Sequence, residues 1–537
     1  MNAKNRASLA FWLIGILAVL SIPTVLSGGL YVGKHEGDML HLLEIVFRFA
    51  EGQRPHIDFM TPIGLFAYAP ISWLVAAGQS IGMAIIWGQI LFAVALLPAV
   101  WWVGVSRFSM LNAWFFGLVI ITLCVALVHG TVESTVSISM HYNRMAWAVA
   151  FVATAIGVVP ARRTVPVVDG IILGLLMVVL AMIKTTYFVA FAPAIIVGLL
   201  SNNGARTLGI AAITGVVATL GLVVVLGLDF FLGYLGDLLT VMGSEGRSAP
   251  GEPLAAVVAS PAYLPASVTL LAGIILLRQG KRDTAGMTLL LLAPAFWYVS
   301  YQNFGNDPQW LMLLAVLLFA WRPEHGVTNG NGWDMRQAVT FVGIAALALS
   351  LPSLVNLAYS PYRHMQRDVA NFEPILPAMA DHHDLQLFGI RAHRTDKRTL
   401  FTTDELAAYE DGAKREDPPE WQGETFEYCT IELGLVAWYE AMSKSLAEGG
   451  FADGQSSIFT TDLFSPFWLY GDFVPAPQAA PWYYGGLDGL AASDYILVPF
   501  CPVGPPLRSL IIREMNEAGV DAREVQRTDL YVLYEKL

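Results

Sequence analysis

The chain has 537 residues, of which 55% are hydrophobic and only 14% charged, and its mean hydropathy is +0.55. Soluble proteins carry about 25% charged residues, so this balance argues against a soluble enzyme, a disordered chain or a nucleic-acid binder. The net charge of −12 is unevenly spread: residues 1–358 hold 17 Lys and Arg against 15 Asp and Glu, while residues 359–537 hold 14 against 28. A nearly neutral apolar body is thus followed by an acidic, water-loving C-terminal part.

A membrane-crossing helix needs about 20 mainly apolar residues. The first such run, 8–28, follows Lys4 and Arg6 and reads as an uncleaved first span. Further runs lie near 83–105, 111–129, 145–160, 168–183, 187–200, 206–228, 262–278, 286–300, 309–321 and 336–357. The expected fold is therefore a polytopic all-α membrane domain of about eleven spans over 1–358. Positive residues prefer the cytoplasmic side. A cytoplasmic N-terminus places Lys4, Arg6, Arg107, Arg162, Arg163, Arg206, Arg278, Lys281, Arg282, Arg322 and Arg336 there, which is 11 of the 17 basic residues. This sorting requires that TPIGLFAYAPISWLVAAGQS, with its two prolines, only half-inserts on the outer face. The span count is then odd, and the acidic part from 359 to 537 lies outside the cytoplasm.

Three outer segments exceed a turn in length: 29–82, 130–144 and 229–261. In the first, DMLHLLEIVFRFAE is amphipathic at the helical period. Leu40, Leu42, Leu43, Val46, Phe47, Phe49 and Ala50 share one face, and Asp38, His41, Glu44, Arg48 and Glu51 the other. That pattern predicts a helix lying in the membrane interface, apolar side in lipid and polar side toward water or a cavity. After residue 358 the runs LQLFGI (385–390), SSIFTT (456–461), YILVP (495–499) and YVLYEK (531–536) read as strands. IELGLVAWYEAMSKSLAE (431–448) and RSLIIREMNEAG (508–519) read as helices, which together predict a small α/β domain. Cys429 and Cys501 could pair there, and Cys124 sits in a span.

Charged groups at the membrane face are costly to place and so point to function. Glu36, Asp38 and His41 lie close together in KHEGDMLH. They read either as a general base with helpers, or as ligands for a divalent metal, or as a hydrated loop whose Asp caps a helix. MHYNR holds His141, Tyr142, Asn143 and Arg144, which could grip a phosphate or anchor the span in headgroups. Lys184, in AMIKTTYF, could bind a lipid-linked phosphate or simply snorkel. Asp58 in PHIDF and the QNFGND turn (Gln302, Asn303, Asn306, Asp307) are weaker candidates. No nucleotide-binding glycine motif is present.

The stretch EGDMLHLLEIVFRFAEGQRPHIDFMTPIGLFAYAPISWL resembles the first outer loop of type C membrane glycosyltransferases, the GT-C fold. In bacterial members an acidic residue follows the first span, then come a helix with an early His or Tyr, a G-x-x-P-[YH]-x-D-F turn and a half-inserted aromatic helix. Asp38, His41, Gly52, Pro55, His56, Asp58, Phe59, Pro62 and Tyr68 match that order. The resemblance implies transfer of a sugar from a polyprenyl phosphate to an acceptor hydroxyl on a cell-envelope glycan, lipid or protein. The enzyme would sit in a bacterial inner membrane. It implies Asp38 as base, Glu36, His41 and Asp58 in support or on the acceptor, and Arg144, Lys184, His141 and Arg48 on the departing phosphate. A polymerase or ligase using polyprenyl-diphosphate glycans is the nearest rival. A transporter would place its ionisable groups near the midplane instead.

Overall fold

The computed structural model describes residues 2–130, 133–246, 253–302, 307–399 and 417–537. Helix α1 (Ala3–Leu26) leads into strand β1 (Leu30–Val32), helix α2 (Glu36–Ala50) and the short helix α3 (Ala69–Ala76). Then follow α4 (Ile81–Arg107), α5 (Met110–Val125), α6 (His141–Val158), α7 (Pro166–Ile183), α8 (Thr185–Ser201) and α9 (Ala205–Leu226). The helical part closes with α10 (Leu228–Met242), α11 (Leu254–Ala259), α12 (Tyr263–Gln279), α13 (Asp283–Gln302), α14 (Trp310–Ala320) and α15 (Met335–Met365). A helix occupies each of the eleven apolar runs.

Six of these helices, α1, α4, α7, α9, α13 and α15, are long and apolar enough to cross a membrane. α5, α8, α12 and α14 are apolar but shorter. α6 is buried along its whole length apart from Tyr142, and α14 from Trp310 to Leu318. A helix that is apolar all round belongs in the middle of a bundle, and these two form its centre. Where α4 ends, the Arg107 guanidinium makes a two-pronged ion pair with Asp169 at 2.9 and 3.0 Å, and Trp102 donates to the same carboxylate. That buried clamp ties α4 to the start of α7. At eight residues, α3 spans roughly 12 Å and is too short to cross.

One expectation is overturned. α2 is not laid in the lipid interface: every residue from Met39 to Arg48 is buried. Its apolar face packs on α3, and its polar face is covered by the chain that follows α15. Amphipathicity reports two different neighbours, and here the polar one is protein rather than water.

The C-terminal part is an α/β unit. α15 continues past residue 358 to Met365 before β2 (Phe372–Pro374), β3 (Leu385–Phe388), α16 (Gly389–His393) and β4 (Asp396–Thr399). Next come β5 (Glu420–Trp421), β6 (Glu424–Thr425), β7 (Cys429–Glu432), α17 (Leu435–Glu448) and β8 (Ile458–Thr460). β9 (Tyr495–Pro499), α18 (Pro505–Glu517), β10 (Ala522–Arg527) and β11 (Tyr531–Lys536) complete it. The main sheet has the order β10-β11-β9-β8, with β8 parallel to β9 and the rest antiparallel. A second sheet, β1-β3-β2, takes its edge strand from the segment between α1 and α2. The helix expected from 431 begins only at Leu435. Thr430, Ile431 and Glu432 instead pair with β4, and Gly434, at φ 62°, turns the chain into α17. Cys429 and Cys501 form a disulfide, and Cys124 is free and buried.

Candidate functional site

The site is organised by the seven residues Ser137–Asn143, where alternate side chains each hold a different part of the molecule. The His35 imidazole and the Ser137 hydroxyl share a hydrogen bond of 2.8 Å. Ser139 donates its hydroxyl hydrogen to Asp38. The His141 ring contacts the carbonyl of Ala67 at 3.3 Å. Asn143 accepts from the Lys184 ammonium at 2.8 Å.

Backbone turns make this convergence. His35 (φ 65°) and Met140 (φ 47°) both adopt the left-handed conformation that non-glycine residues seldom take. Each immediately precedes a helix, α2 and α6. Asp38 therefore falls in the first turn of α2, where a carboxylate is favoured by the helix dipole. α7 stops at Ile183, Lys184 is extended, and α8 starts at Thr185. Lys184 lies over the rings of Tyr142 and Tyr187, with its nitrogen 5.5 and 6.0 Å from their centroids. The beginnings of α6 and α8 thus meet at one ammonium group, and both dipoles point positive charge toward it.

A groove of about 600 Å³ lies between α3, α4, α6 and α7. Phe66, Trp73, Phe92, Val149, Leu175 and Val179 are among its residues, and no charged side chain lines it. Phe66 is the neighbour of Ala67, whose carbonyl His141 contacts. One residue lining the apolar groove is thus the sequence neighbour of the residue that His141 contacts.

The remaining sequence candidates are bonded to other partners. Glu36 receives two hydrogen bonds of 2.8 Å from Arg391, so it fastens α2 to α16. Gly37 beside it is required by packing: a Cβ there would come within 2.8 Å of the Phe464 ring. His41 faces the rings of Trp482 and Tyr484. Arg48 is buried, pairs with Glu44 at 2.8 Å and donates to the carbonyl of Ala476. Burial pushes the Glu44 carboxyl up, and Arg48 opposes that shift. Arg144 donates to the carbonyls of Ala126 and Val128 at 2.7 and 2.9 Å, closing the end of α5. Asp58 accepts from the backbone N–H of Arg54 and so stabilises its own turn. Burial raises the Asp307 carboxyl, while Asn303 and Asn306 lie outside the described residues.

Among the described residues, no group of three or more His, Cys, Asp or Glu side chains is placed to hold a metal ion. Glu36, Asp38 and His41 point to different partners.

Residues missed in the sequence include His35, Ser137, Ser139 and His129, whose ring lies 5.6 Å from that of His35. A signal was present. VSISMHYN alternates apolar and polar residues, a period of two that marks an extended segment with one polar side. His56, in the PHIDF turn, is joined to Asp237 at 2.7 Å, a pairing across 181 positions that local sequence cannot display. Compared with known proteins, the chain matches no family model and no curated sequence.

Proposed function

We propose that this protein is a membrane glycosyltransferase that moves a sugar from a polyprenyl-phosphate carrier to an acceptor hydroxyl. The observation that carries this reading is a carboxylate and an ammonium both held by residues 137–143, with His141 of that segment contacting the neighbour of a residue that lines an apolar groove. A long lipid tail needs the groove. Its phosphate needs cationic and dipolar partners. The acceptor needs a base.

In this reading Asp38 takes the proton of the acceptor hydroxyl. The acceptor oxygen bonds to the anomeric carbon as the bond from that carbon to the phosphate oxygen breaks. The polyprenyl phosphate leaves with growing charge, which Lys184 and the first turns of α6 and α8 stabilise. The groups now committed elsewhere, Arg48 and Arg144, drop out of the phosphate role, and Glu36 acts on domain contact.

Membrane placement completes the proposal. Eleven helices coincide with eleven apolar runs, and an odd number of spans with a cytoplasmic N-terminus puts the C-terminal domain outside. The Cys429–Cys501 disulfide is at home in an oxidising compartment. The membrane would be the inner membrane of a bacterium, and the acceptor a cell-envelope glycan, lipid or protein.

The test is donor consumption by the purified protein in lipid bilayers, offered the same sugar as polyprenyl monophosphate or diphosphate. The expected outcome is turnover of the monophosphate alone. Lys184→Met should weaken donor binding by about tenfold, the size of one charge-assisted hydrogen bond. Turnover of the diphosphate alone would replace this reading with a polymerase or ligase.

A further inference from the structure

α10 carries a stripe of exposed apolar side chains that nothing among the described residues covers. Leu228, Leu232, Leu235, Leu239 and Met242 are between 55% (Leu235) and 83% (Met242) exposed. At 3.6 residues per turn they fall within an arc of roughly 80°. The opposite face is fastened from Asp229 to Asp237 to the segment that carries Arg54 and His56. Asp229 pairs with Arg54 at 2.8 Å, and Asp237 with His56 at 2.7 Å. Phe230 and Tyr234 lie against the His56 ring, both at 4.7 Å between centroids. Gly233 permits this approach, because a Cβ there would fall 2.2 Å from the His56 carbonyl oxygen.

We infer that α10 is a membrane-surface helix, seated in the boundary between headgroups and acyl chains on the side of the C-terminal domain. The occupant of its apolar face is lipid. Continuity argues for this. α9 is long and apolar enough to cross a membrane and is almost wholly exposed in the molecule. Its open residues include Val216, Val217, Leu220, Val224 and Val225. Only Gly227 separates α9 from α10, so the lipid-facing surface of the one runs on into the stripe of the other. α10 lies along the surface rather than across the bilayer, because Asp229 and Asp237 on its other face are both held by the segment that carries Arg54 and His56. Its far end also leads to soluble structure, since Glu245 pairs with Arg513 of α18.

The seat bears on the candidate site. The Tyr234 hydroxyl lies 3.1 Å from that of Thr185 and 3.3 Å from the carbonyl of Ala181. Thr185 follows Lys184, so α10 sets the depth of the ammonium relative to the bilayer surface.

The experiment places a fluorophore on Leu235→Cys in the full chain, since the free Cys124 is buried. The protein is reconstituted in phosphatidylcholine vesicles containing lipids brominated at shallow or deep acyl positions. Val217→Cys on α9 is the deep reference. The expected result for Leu235→Cys is strongest quenching by shallow bromines, at a depth within about 5–10 Å of the headgroup boundary. Leu239→Cys should read the same and serves as the second position. Quenching by aqueous iodide without effect of brominated lipid would overturn the inference. So would cysteine cross-linking between two copies that excludes the lipid quenchers. Neither outcome depends on whether a sugar is transferred.

Discussion

Ser139 donates a hydrogen bond to Asp38, and this joins the entry of α6 to the first turn of α2. The two residues are 101 positions apart. The bond orients one carboxylate oxygen and ties the group to the short segment that carries His141 and, through Asn143, holds Lys184.

Asp38→Asn keeps the size and a hydrogen-bond acceptor but cannot take up the acceptor proton. Turnover should fall by about 10²–10⁴-fold, the usual contribution of a positioned base, with donor binding retained. Single-turnover kinetics on the lipid-monophosphate donor separate the two. Near-normal turnover in the variant would remove Asp38 from the reaction.

Glu36→Gln should behave differently, because Glu36 is joined to Arg391 rather than to the cluster. Glu36 is 6% exposed and Arg391 32%. Breaking the pair should cost about 1–2 kcal/mol, after allowance for solvent at the arginine. Turnover should stay within a few-fold of the parent at low temperature. A thermal-unfolding cycle with Arg391→Met and the double variant checks it. Additive losses would show that the pair does not hold α2 to α16.

The pH dependence of stability should contain a contribution from His35. Burial, then the Lys34 ammonium, hold its imidazole below the usual value, against the opposing carboxylates of Asp38, Glu133 and Glu36. The unfolded chain therefore takes up this proton first. The stabilisation is present above the unfolded value of about 6.5 and is lost as pH falls from there toward the lower folded value. His35→Asn suits the left-handed backbone and does not titrate. Its Tm should fall less than the parent's between pH 7.5 and pH 5.5. Parallel curves would exclude the imidazole as a source.

Thiol labelling reads the disulfide directly. Denatured, unreduced protein should label at Cys124 alone, and reduction should expose Cys429 and Cys501 as well. The two cysteines are 72 residues apart, so in the chain-entropy account the cross-link contributes about 4 kcal/mol. Three labels before reduction would reject the bond.

The apolar runs, the acidic tail and the core strands of the C-terminal domain were all legible in the sequence. They rest on local physics: twenty apolar neighbours, or a period of two or 3.6, report burial without reference to the rest of the chain. The sequence alone also picked out Asp38, His141 and Lys184, because ionisable groups beside apolar runs are rare. What covers each face lay beyond it. The helix that contains Asp38 and the helix after Gly227 are both amphipathic, yet α2 is buried beneath the C-terminal domain while α10 keeps its leucines open. Only contacts such as Glu36 with Arg391, 355 residues apart, decide between those outcomes. A hydrophobic pattern states that a surface must be covered, and the tertiary structure chooses whether protein or lipid covers it.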